Sequence, residues 1–428
     1  MPGMKVLFSM SKSKSVLIVG GGVIGLCTAY YAMQKGHKVT LVERGAKEHD
    51  SCSLGNAGMI VPSHFVPLAA PGMVSYGLRV MWNPESPFYV RPRLSLDLMR
   101  WGWQFWRAAN AGHVARSAPL LRTLNLESRR CYEEFAARSD NAFGLVQKGL
   151  LMLCKTEKTL HAEAELVEKA HSLGLKAEVL DAKQTAARDP SVTMNVAGSV
   201  YFAQDCHLTP QKFVAELTRA LEAGGATFHW NSEVTGWRVG SGRIEAVQTA
   251  QGELTADEYV LAGGSWSPQA VQGLKLNLPM QAGKGYSVTL PNPRQQPDLC
   301  SIFMEARVAV TPMGDTLRFG GTMEITGLDE TINPARVQGI IKSIPSYFPE
   351  FRVEDFRDLP VWRGLRPCSP DGMPYIGRFG RYANLSAATG HAMMGLSLGP
   401  VTGKLMAELL SDEAPSIALE ALSPDRYA

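Results

Sequence analysis

The strongest hydrophobic pattern in the chain lies between residues 15 and 44. Four apolar residues, Val16 to Val19, form an uninterrupted run that predicts a fully buried parallel strand. The stretch "LCTAYYAMQKG" then has helical spacing, and Gly36 stands where a helix commonly ends in glycine. A second apolar run, "KVTLV", completes a strand–helix–strand unit, which is typical of an α/β protein.

Two later parts of the chain show their own periodicity. Near the C-terminus, "NLSAAT" predicts a short strand that ends at Gly390, and the apolar residues Leu398, Val401, Leu405 and Leu409 predict a helix after it. In the middle of the chain, the runs "YSVTL", "RVAVTP" and "TLRFGGT" predict an antiparallel sheet within an α+β layer.

Three glycines join the first strand to the first helix in a G-x-G-x-x-G pattern: Gly20, Gly22 and Gly25. Glycine lets the backbone turn tightly and approach a pyrophosphate, whose charge is stabilised by the helix N-terminus. Glu43, at the end of the second strand, offers acceptor oxygens to a ribose hydroxyl and would repel a 2′-phosphate. The combination predicts a dinucleotide site but does not identify the dinucleotide.

Composition excludes several other classes of protein. The chain has 428 residues, 45% hydrophobic and 19% charged, which suits a globular protein of about two or three domains. Its net charge of +3 comes from scattered basic residues, so nothing suggests a nucleic-acid surface. The seven cysteines lack a C-x-x-C pair, which argues against a disulfide framework or a metal site and favours a reducing compartment. With no recognisable signal peptide and no apolar run of about 18 residues, we expect a cytoplasmic protein.

Two further segments carry small and polar residues without clear periodicity. "SCSLGNAGMIVPS", residues 51–63, is typical either of a flexible loop or of a backbone-rich cradle for a planar cofactor. "GLRPCSPDGMPYIG", residues 364–377, places Arg366 before a proline and turn residues, so an irregular loop is predicted there. Neither segment alone identifies a function.

Together, these motifs resemble those of the D-amino-acid oxidase superfamily of FAD-dependent oxidoreductases. The most specific marks are "GGGVIG", "SLGNAG", "KGYSV", "LRPCSPDGMPYIG" and "TGHAMMGLSLGP". The resemblance covers nearly the whole chain from Ser15 onward and is closest to the bacterial D-amino-acid dehydrogenases. It implies an α/β fold with a discontinuous Rossmann-type FAD-binding domain and an α+β substrate domain that contains an antiparallel sheet.

The resemblance also implies how the chain divides. The expected parts are a disordered N-terminal extension, residues 1–14; an FAD-binding domain, residues 15–62, 195–278 and 356–428; and a substrate or cap domain, residues 63–194 and 279–355.

Non-covalent FAD is the cofactor that the resemblance implies. Cys368 lies closer to the following Pro-Asp pair than the cysteine that links the flavin in sarcosine oxidases, so no covalent bond is expected. The residues carried over as cofactor contacts are Gly20, Gly22, Val23, Ile24, Gly25, Glu43, Arg44, Ser53, Asn56, Ala57, Gly58, Met59, Val234, Ala262, Gly263, Gly390, Met394, Gly395 and Leu396.

For the substrate, the resemblance places the family's carboxylate-binding arginine at Arg366. The alternative is a structural ion pair between Arg366 and Asp371. The second arginine that glycine oxidases carry after the Gly-His pair is missing here, so Tyr286 and Arg318 are candidates for a second anchor, although Arg318 could equally face solvent. His391, in the expected flavin loop, is a candidate contact to the ring or the substrate, or an ordinary loop histidine.

The chemistry implied by the resemblance is oxidative deamination of amino acids, by hydride transfer from the α carbon to flavin N5. D-amino acids, including D-proline or hydroxy-D-proline, are the expected substrates, and a quinone or another non-oxygen acceptor would take the electrons. No catalytic base is expected, because the substrate can arrive as the neutral amine, and His64 is expected to have no catalytic role. Two alternatives remain: an oxidase that produces hydrogen peroxide, and the flavin subunit of a heteromeric dehydrogenase.

One stretch has an unusual aromatic content: "LSLDLMRWGWQFWRAAN", residues 94–110. Its leucines and two of its aromatic residues follow helical spacing, whereas Trp103 and Trp106 lie beside Arg100 and Arg107. This pattern is typical of a helix packed on its own domain and also of a helix in a membrane interface. The second interpretation predicts peripheral contact with the inner face of the cytoplasmic membrane.

Overall fold

The computed structural model describes residues 13–48, 50–80 and 83–428. The predicted N-terminal extension, residues 1–14, therefore lies almost entirely outside the described residues. Two large sheets, with helices packed against them, form most of the described chain.

The strands and helices have the following bounds. The strands are β1 (Ser15–Val19), β2 (Lys38–Val42), β3 (Met59–Ile60), β4 (Phe88–Val90), β5 (Leu150–Cys154), β6 (Ala177–Asp181), β7 (Gly198–Phe202), β8 (Cys206–His207), β9 (Thr227–His229), β10 (Val234–Gly240), β11 (Arg243–Thr249), β12 (Gly252–Leu254), β13 (Glu258–Leu261), β14 (Gln281–Pro291), β15 (Cys300–Phe303), β16 (Val308–Met313), β17 (Thr316–Ile325), β18 (Val361–Cys368), β19 (Tyr375–Arg378) and β20 (Leu385–Thr389). The α-helices are α1 (Val23–Gln34), α2 (Met73–Val80), α3 (Leu96–Ala108), α4 (Ala111–Arg138), α5 (Glu157–Ser172), α6 (Ala182–Arg188), α7 (Pro210–Ala223), α8 (Ser267–Ala270), α9 (Pro334–Tyr347) and α10 (Gly395–Leu410).

The first sheet has the strand order β19-β20-β13-β1-β2-β9. Its central strand, β1, pairs in parallel with β2 on one side and with β13 on the other. Both apolar runs near the N-terminus are therefore strands, as the sequence predicts. The helix between them, α1, is followed by Gly36 with a φ of +85°, the left-handed conformation that ends many helices.

The C-terminus returns to this first strand–helix–strand unit. Strand β20 joins the sheet in parallel beside β13, and α10 packs against α1. A Cβ on Gly403 would lie 2.4 Å from the carbonyl oxygen of Cys27, so the two helices approach as closely as only glycine allows. Leu398, Val401 and Leu405 of α10 are buried in the same core as α1, which confirms the predicted C-terminal helix.

The second sheet has the order β18-β14-β17-β16-β15-β5-β7-β6, and β4 pairs with β17 outside this path. Strand β17 lies between β14 and β16 and pairs antiparallel with each of them, which confirms the antiparallel sheet predicted for the middle of the chain. Helix α9 covers one face of this sheet through a core that includes Val288, Phe319 and Ile340. The mixed α/β architecture agrees with the predicted fold class.

The prediction of an irregular loop around Arg366 is wrong, because this residue lies within β18. Strand β18 pairs antiparallel with β14, with Gly283 opposite Arg366. It is the edge strand of its sheet, where a proline such as Pro367 can be accommodated although it has no N–H to donate. Strands β7 and β18 join the second sheet. Both lie in segments that the resemblance assigns to the FAD-binding domain, residues 195–278 and 356–428. The domain boundaries therefore remain a prediction.

Candidate functional site

A cavity of about 780 Å³ is lined by residues of both sheets. Three of the predicted cofactor contacts, Gly25, Gly58 and Gly390, are not among the lining residues, and the last two have φ values of +76° and +77° that turn the backbone there. Apart from Arg318, the other cofactor and substrate candidates line the cavity: Gly20, Gly22, Val23, Ile24, Glu43, Arg44, Ser53, Asn56, Ala57, Met59, Val234, Ala262, Gly263, Tyr286, Arg366, His391, Met394, Gly395 and Leu396.

The glycine turn has the close backbone approaches that its sequence predicts. Gly20 has a φ of +116°, and a Cβ there would lie 2.4 Å from the carbonyl oxygen of Ala262. A Cβ on Gly25 would lie 1.9 Å from the carbonyl oxygen of Gly20, so Gly25 packs α1 against the turn. Gly22 is the N-cap of α1 and has no side chain with which to cap it. This helix N-terminus is therefore suited to an anionic group such as a pyrophosphate.

Glu43 and Arg44 form the wall next to this turn. The Glu43 carboxylate accepts hydrogen bonds from the N–H groups of Gly21 at 2.7 Å and Gly45 at 2.8 Å. These bonds fix the carboxylate, and its remaining lone pairs can accept ribose hydroxyls. The guanidinium carbon of Arg44 lies 3.6 Å from the centre of the Trp266 ring, which makes a flat side wall. Sequence reasoning missed Trp266, although it lies only three residues after the predicted cofactor contact Gly263.

The loop of residues 51–58 lies between the glycine turn and the second sheet. Ser53 Oγ accepts a hydrogen bond of 3.0 Å from the first turn of α1. From the other side, Arg318 of β17 donates to the carbonyl oxygens of Leu54 at 3.0 Å and Asn56 at 2.8 Å. Burial lowers the pKa of Arg318 to about 10, and the described residues give it no carboxylate partner. Arg318 is thus a buried support of the loop, and neither predicted role, substrate anchor or solvent-facing residue, fits its position.

The C-terminal loop brings the N-terminus of α10 to the opposite part of the cavity. Met394 is the N-cap and makes no capping hydrogen bond from its side chain, and Gly395 and Leu396 line the wall beside it. Tyr132 fixes this turn by donating to the carbonyl oxygen of Leu396 at 2.6 Å. Because a helix N-terminus carries partial positive charge, this end of the cavity favours negative charge on a bound group.

Arg366 presents a half-buried cation to the cavity from β18. Its Nη1 donates to the carbonyl oxygen of Thr322 at 2.5 Å. Thr322 lies where the pairing of β14 and β17 shifts register and has a φ of +69°, an unusual conformation for a β-branched residue. A Cβ on Gly285 would lie 2.2–2.4 Å from the guanidinium atoms, so only glycine leaves room for this side chain. Burial lowers the pKa of Arg366, but a guanidinium remains charged at neutral pH.

The alternative role for Arg366, an ion pair with Asp371, is wrong. Asp371 pairs with Arg426, with 2.7 Å between Oδ2 and Nε. Among the residues that the structure describes, no carboxylate forms an ion pair with Arg366. Its remaining N–H donors can therefore bind an anionic ligand in the cavity.

Tyr286 is less suited to the role predicted for it. Its hydroxyl donates to the Glu324 carboxylate at 2.6 Å and accepts from the Asn333 N–H at 3.1 Å. Side chains alternate along a strand, so Tyr286 points away from the face on which Gly285 meets the guanidinium of Arg366. Tyr286 contributes to the wall, but its hydroxyl is committed to the opposite face of the sheet.

His391 is buried at the end of β20 and lines the cavity. Its Nε2 lies 2.9 Å from the Thr402 hydroxyl, and its Nδ1 is buried without a hydrogen-bond partner among the described residues. Burial lowers the pKa of His391 to about 3, so the ring is neutral at physiological pH. An unpartnered buried nitrogen in a cavity wall is expected where a ligand supplies the missing partner.

The arrangement defines a dinucleotide-binding oxidoreductase with an anion-binding arginine in the same cavity. Comparisons with known proteins identify the dinucleotide. The family described as FAD dependent oxidoreductase, DAO, matches residues 15–409. The chain is also 35% identical over 424 residues to a D-amino acid dehydrogenase of Methylobacterium nodulans, covering 96% of this chain and 99% of that protein.

Two further comparisons agree with this result. A D-amino acid dehydrogenase of Granulibacter bethesdensis is 32% identical over 421 residues, covering 96% of this chain and 99% of that protein. The crystal structure of glycine oxidase from Geobacillus kaustophilus has a TM-score of 0.78 at 22% identity, covering 97% of this chain and 99% of that one. The chain therefore belongs to the DAO family of FAD-dependent oxidoreductases.

The site fits the family's cofactor. The N-terminus of α1, the fixed Glu43 carboxylate and the unpartnered Nδ1 of His391 are the features that FAD would contact. Across the described part of the chain, no helix combines the length and apolar character needed to cross a bilayer.

Proposed function

We propose that this protein is an FAD-dependent D-amino-acid dehydrogenase that deaminates its substrates oxidatively. The observation that carries the proposal is the half-buried guanidinium of Arg366, which has no carboxylate partner among the described residues and lines the same cavity as the dinucleotide cradle. The names of the relatives in Methylobacterium nodulans and Granulibacter bethesdensis support the amino-acid substrate.

Arg366 binds the substrate carboxylate through paired N–H donors, and this contact orients the α carbon within the cavity. When bound, FAD supplies the two-electron acceptor for a hydride from that carbon. The surrounding walls exclude water during this step, and the imine then hydrolyses to a keto acid and ammonia. Cyclic secondary amines such as D-proline and hydroxy-D-proline are included among the substrates, since the same carboxylate contact serves them.

We propose that FAD is held without a covalent bond. Cys368 is completely buried, and its Sγ makes a 3.5 Å contact with the carbonyl oxygen of Arg366. This thiol is absent from the residues that line the cavity. Acid precipitation should release free FAD, and yellow colour that stays with the precipitate would contradict the proposal.

The first experiment is anaerobic bleaching of the bound flavin near 450 nm with D- and L-amino acids and cyclic amines, followed by air. Bleaching by D-amino acids with slow return of colour is the expected result, and rapid return would identify an oxidase that makes hydrogen peroxide. An Arg366→Met variant should keep FAD but bind substrate at least about tenfold more weakly, because a charged hydrogen-bonding partner is lost. Arg294→Met, which removes an exposed arginine paired with Asp355, is the matched control and should be unchanged. If no compound bleaches the wild type, a flavin subunit that needs a partner becomes the better interpretation.

Electron transfer to a membrane quinone is supported by the surface of α3. Four apolar side chains at helical spacing are exposed on one face of this helix: Leu96 at 69%, Met99 at 60%, Trp103 at 55% and Trp106 at 64%. On the inner face, Trp101 is 7% exposed, and its Nε1 donates to the carbonyl oxygen of Cys368 at 2.9 Å. We propose that the outer stripe, with Arg100 and Arg107 beside it, contacts an anionic bilayer.

Flotation with vesicles tests this contact. The holoenzyme should rise with vesicles that contain phosphatidylglycerol, and a Trp103→Ser/Trp106→Ser double variant should stay at the bottom while it retains flavin bleaching. Neutral phosphatidylcholine vesicles are the control for the arginines. Wild-type protein that stays at the bottom with anionic vesicles would refute the membrane contact without affecting the proposed reaction.

A further inference from the structure

Three side chains form a hydrogen-bonded series that runs from the protein interior to the cavity wall. Asp205, at the end of the β7–β8 turn, is 1% exposed. Its Oδ2 accepts from Ser63 Oγ at 2.5 Å, and its Oδ1 accepts from the Ser63 N–H at 3.0 Å. Ser63 Oγ also lies 3.1 Å from Nδ1 of His64. His64 is the member of the series that lines the cavity.

The hydrogen bonds determine where each proton lies. When Asp205 is ionised it can only accept, so Ser63 must donate its hydroxyl proton to Oδ2. The Ser63 oxygen then accepts from Nδ1–H of His64, which leaves the lone pair of a neutral ring on Nε2. The described residues offer no hydrogen-bond partner to this Nε2. The cavity side of His64 is therefore a proton acceptor.

The surroundings favour a proton on Asp205 over a proton on His64. Burial raises the pKa of Asp205 to about 7, opposed by its bonds to Ser63 and by the positive charge of Arg129. Burial, together with the positive charge of Arg307, lowers the pKa of His64 to about 4. Two neutral thiols, Cys206 and Cys300, are the other titratable groups near the buried carboxyl. A proton taken up at the cavity would thus come to rest on Asp205.

We propose that Asp205, Ser63 and His64 form a proton relay that removes a proton from the substrate ammonium group. This inference rests on the proposed amino-acid oxidation, which requires the nitrogen lone pair to be free when the α carbon loses its hydride. The ammonium N–H bond breaks as the proton binds Nε2 of His64. The proton on Nδ1 moves to Ser63 Oγ, and the former Ser63 proton moves to Oδ2 of Asp205. No electrons are exchanged, and the charge of Asp205 is neutralised.

His64 is the catalytic residue of this relay, because it lines the cavity in which the substrate would bind, and Ser63 and Asp205 act through it. The relay changes an expectation from the sequence, in which no base was needed and His64 was given no role. The sequence could not reveal it, because Asp205 is 142 residues away from Ser63.

The kinetic test is anaerobic stopped-flow reduction of the holoenzyme between pH 5.5 and 9.5, with the amino acid that bleaches the flavin fastest. For the wild type, the rate constant of reduction should fall as the pH drops below about 7. In Asp205→Asn, the amide can donate to Ser63 Oγ, which reverses the bonds and places the His64 proton on Nε2. Reduction at pH 7 should then slow at least about tenfold and recover toward pH 9.5, where more substrate is already the neutral amine.

Asp189→Asn is the matched control, since Asp189 is an equally buried carboxyl that accepts from the N–H groups of Asp298 and Leu299 outside the cavity. Its pH profile should match that of the wild type. A wild-type profile in Asp205→Asn would refute the relay, whereas a wild-type enzyme that no amino acid reduces would refute the proposed function instead.

A second measurement does not depend on the substrate. Nitrogen-15 NMR of holoenzyme with labelled histidine reports the tautomer of each ring, and the spectrum of His64→Gln assigns the signal of His64 among the nine histidines. At a pH well above 7, where Asp205 is ionised, the relay predicts Nδ1–H in the wild type and Nε2–H in Asp205→Asn. An Nε2–H tautomer in the wild type at that pH would overturn the relay, whatever the enzyme oxidises.

Discussion

Gly285 offers a way to move Arg366 without removing it. In Gly285→Ala the added Cβ would lie 2.2 Å from a guanidinium nitrogen, and ordinary contact begins at about 3.4 Å, so the guanidinium must retreat by about 1.2 Å. The obstructing atoms belong to the end of a flexible side chain, and φ at Gly285 is not positive, so the strand itself can accept alanine. We therefore expect the fold and the cofactor site to persist while the carboxylate clamp is displaced.

The expected loss follows from this displacement. A misplacement of about 1 Å is enough to weaken a bidentate contact, and a hydrogen bond to a charged group contributes about 1.5–3 kcal/mol. The dissociation constant of a D-amino acid should rise about 10- to 150-fold in Gly285→Ala. The assay is spectral titration of the oxidised flavin with a carboxylate inhibitor or a slow substrate, accompanied by measurements of FAD content and melting temperature.

Gly102→Ala is the control for the cost of a methyl group. No atom lies within 4 Å of a Cβ on Gly102, and this residue is inside helix α3, so stability should rise slightly while affinity stays the same. Unchanged carboxylate affinity in Gly285→Ala would refute the assignment of Arg366 as the clamp. Loss of FAD together with affinity would instead show that the strand cannot accept the methyl group.

Two further predictions concern the cofactor and the pH dependence of stability. Arg318→Met should weaken FAD binding at least about tenfold without abolishing folding, because two carbonyl oxygens of the 51–58 loop lose a charged donor. The fluorescence of released FAD measures this loss of affinity. A variant that retains FAD as well as the wild type does would contradict the prediction. The pKa of His391 is lowered to about 3 in the folded protein, against an ordinary value of 6.5. Between these two values the unfolded chain binds more protons than the folded one. The wild type should therefore lose stability as the pH falls below about 6.5. His391→Gln should show a shallower loss of melting temperature between pH 7 and 5, and parallel curves for the two proteins would contradict this.

The sequence was most informative where the structural requirement is local. The close approach of Gly25 to the Gly20 carbonyl oxygen arises within one turn of chain, so the glycine spacing alone predicts it. The position of Arg318 could not be predicted in this way. Its acceptors, Leu54 and Asn56, are 264 and 262 residues away in sequence, and the alternation of β17 does not show which distant loop lies over it.

The same limit explains the error at Arg366. A proline and several turn residues follow it, and these are typical of a loop, but the pairing with β14 that makes the segment a strand is a long-range contact. Edge strands accept such residues because one side of the backbone has no partner to lose. The family motif pointed to a residue that does line the cavity, whereas the local pattern predicted the wrong structure around it.

The register of β14 connects Arg366, the proposed substrate clamp, to a buried charge network. Lys284 and Tyr286 point to one face of the strand, where the Glu324 carboxylate accepts from the Tyr286 hydroxyl and lies 3.6 Å from Lys284 Nζ and 3.2 Å from Arg336 Nε. Gly285, between them, points to the other face and meets the guanidinium of Arg366. A slip of one residue would place a lysine or tyrosine side chain where Arg366 lies and leave buried charges unpaired. The network behind the sheet thus holds the one register in which the cavity has room for the Arg366 side chain.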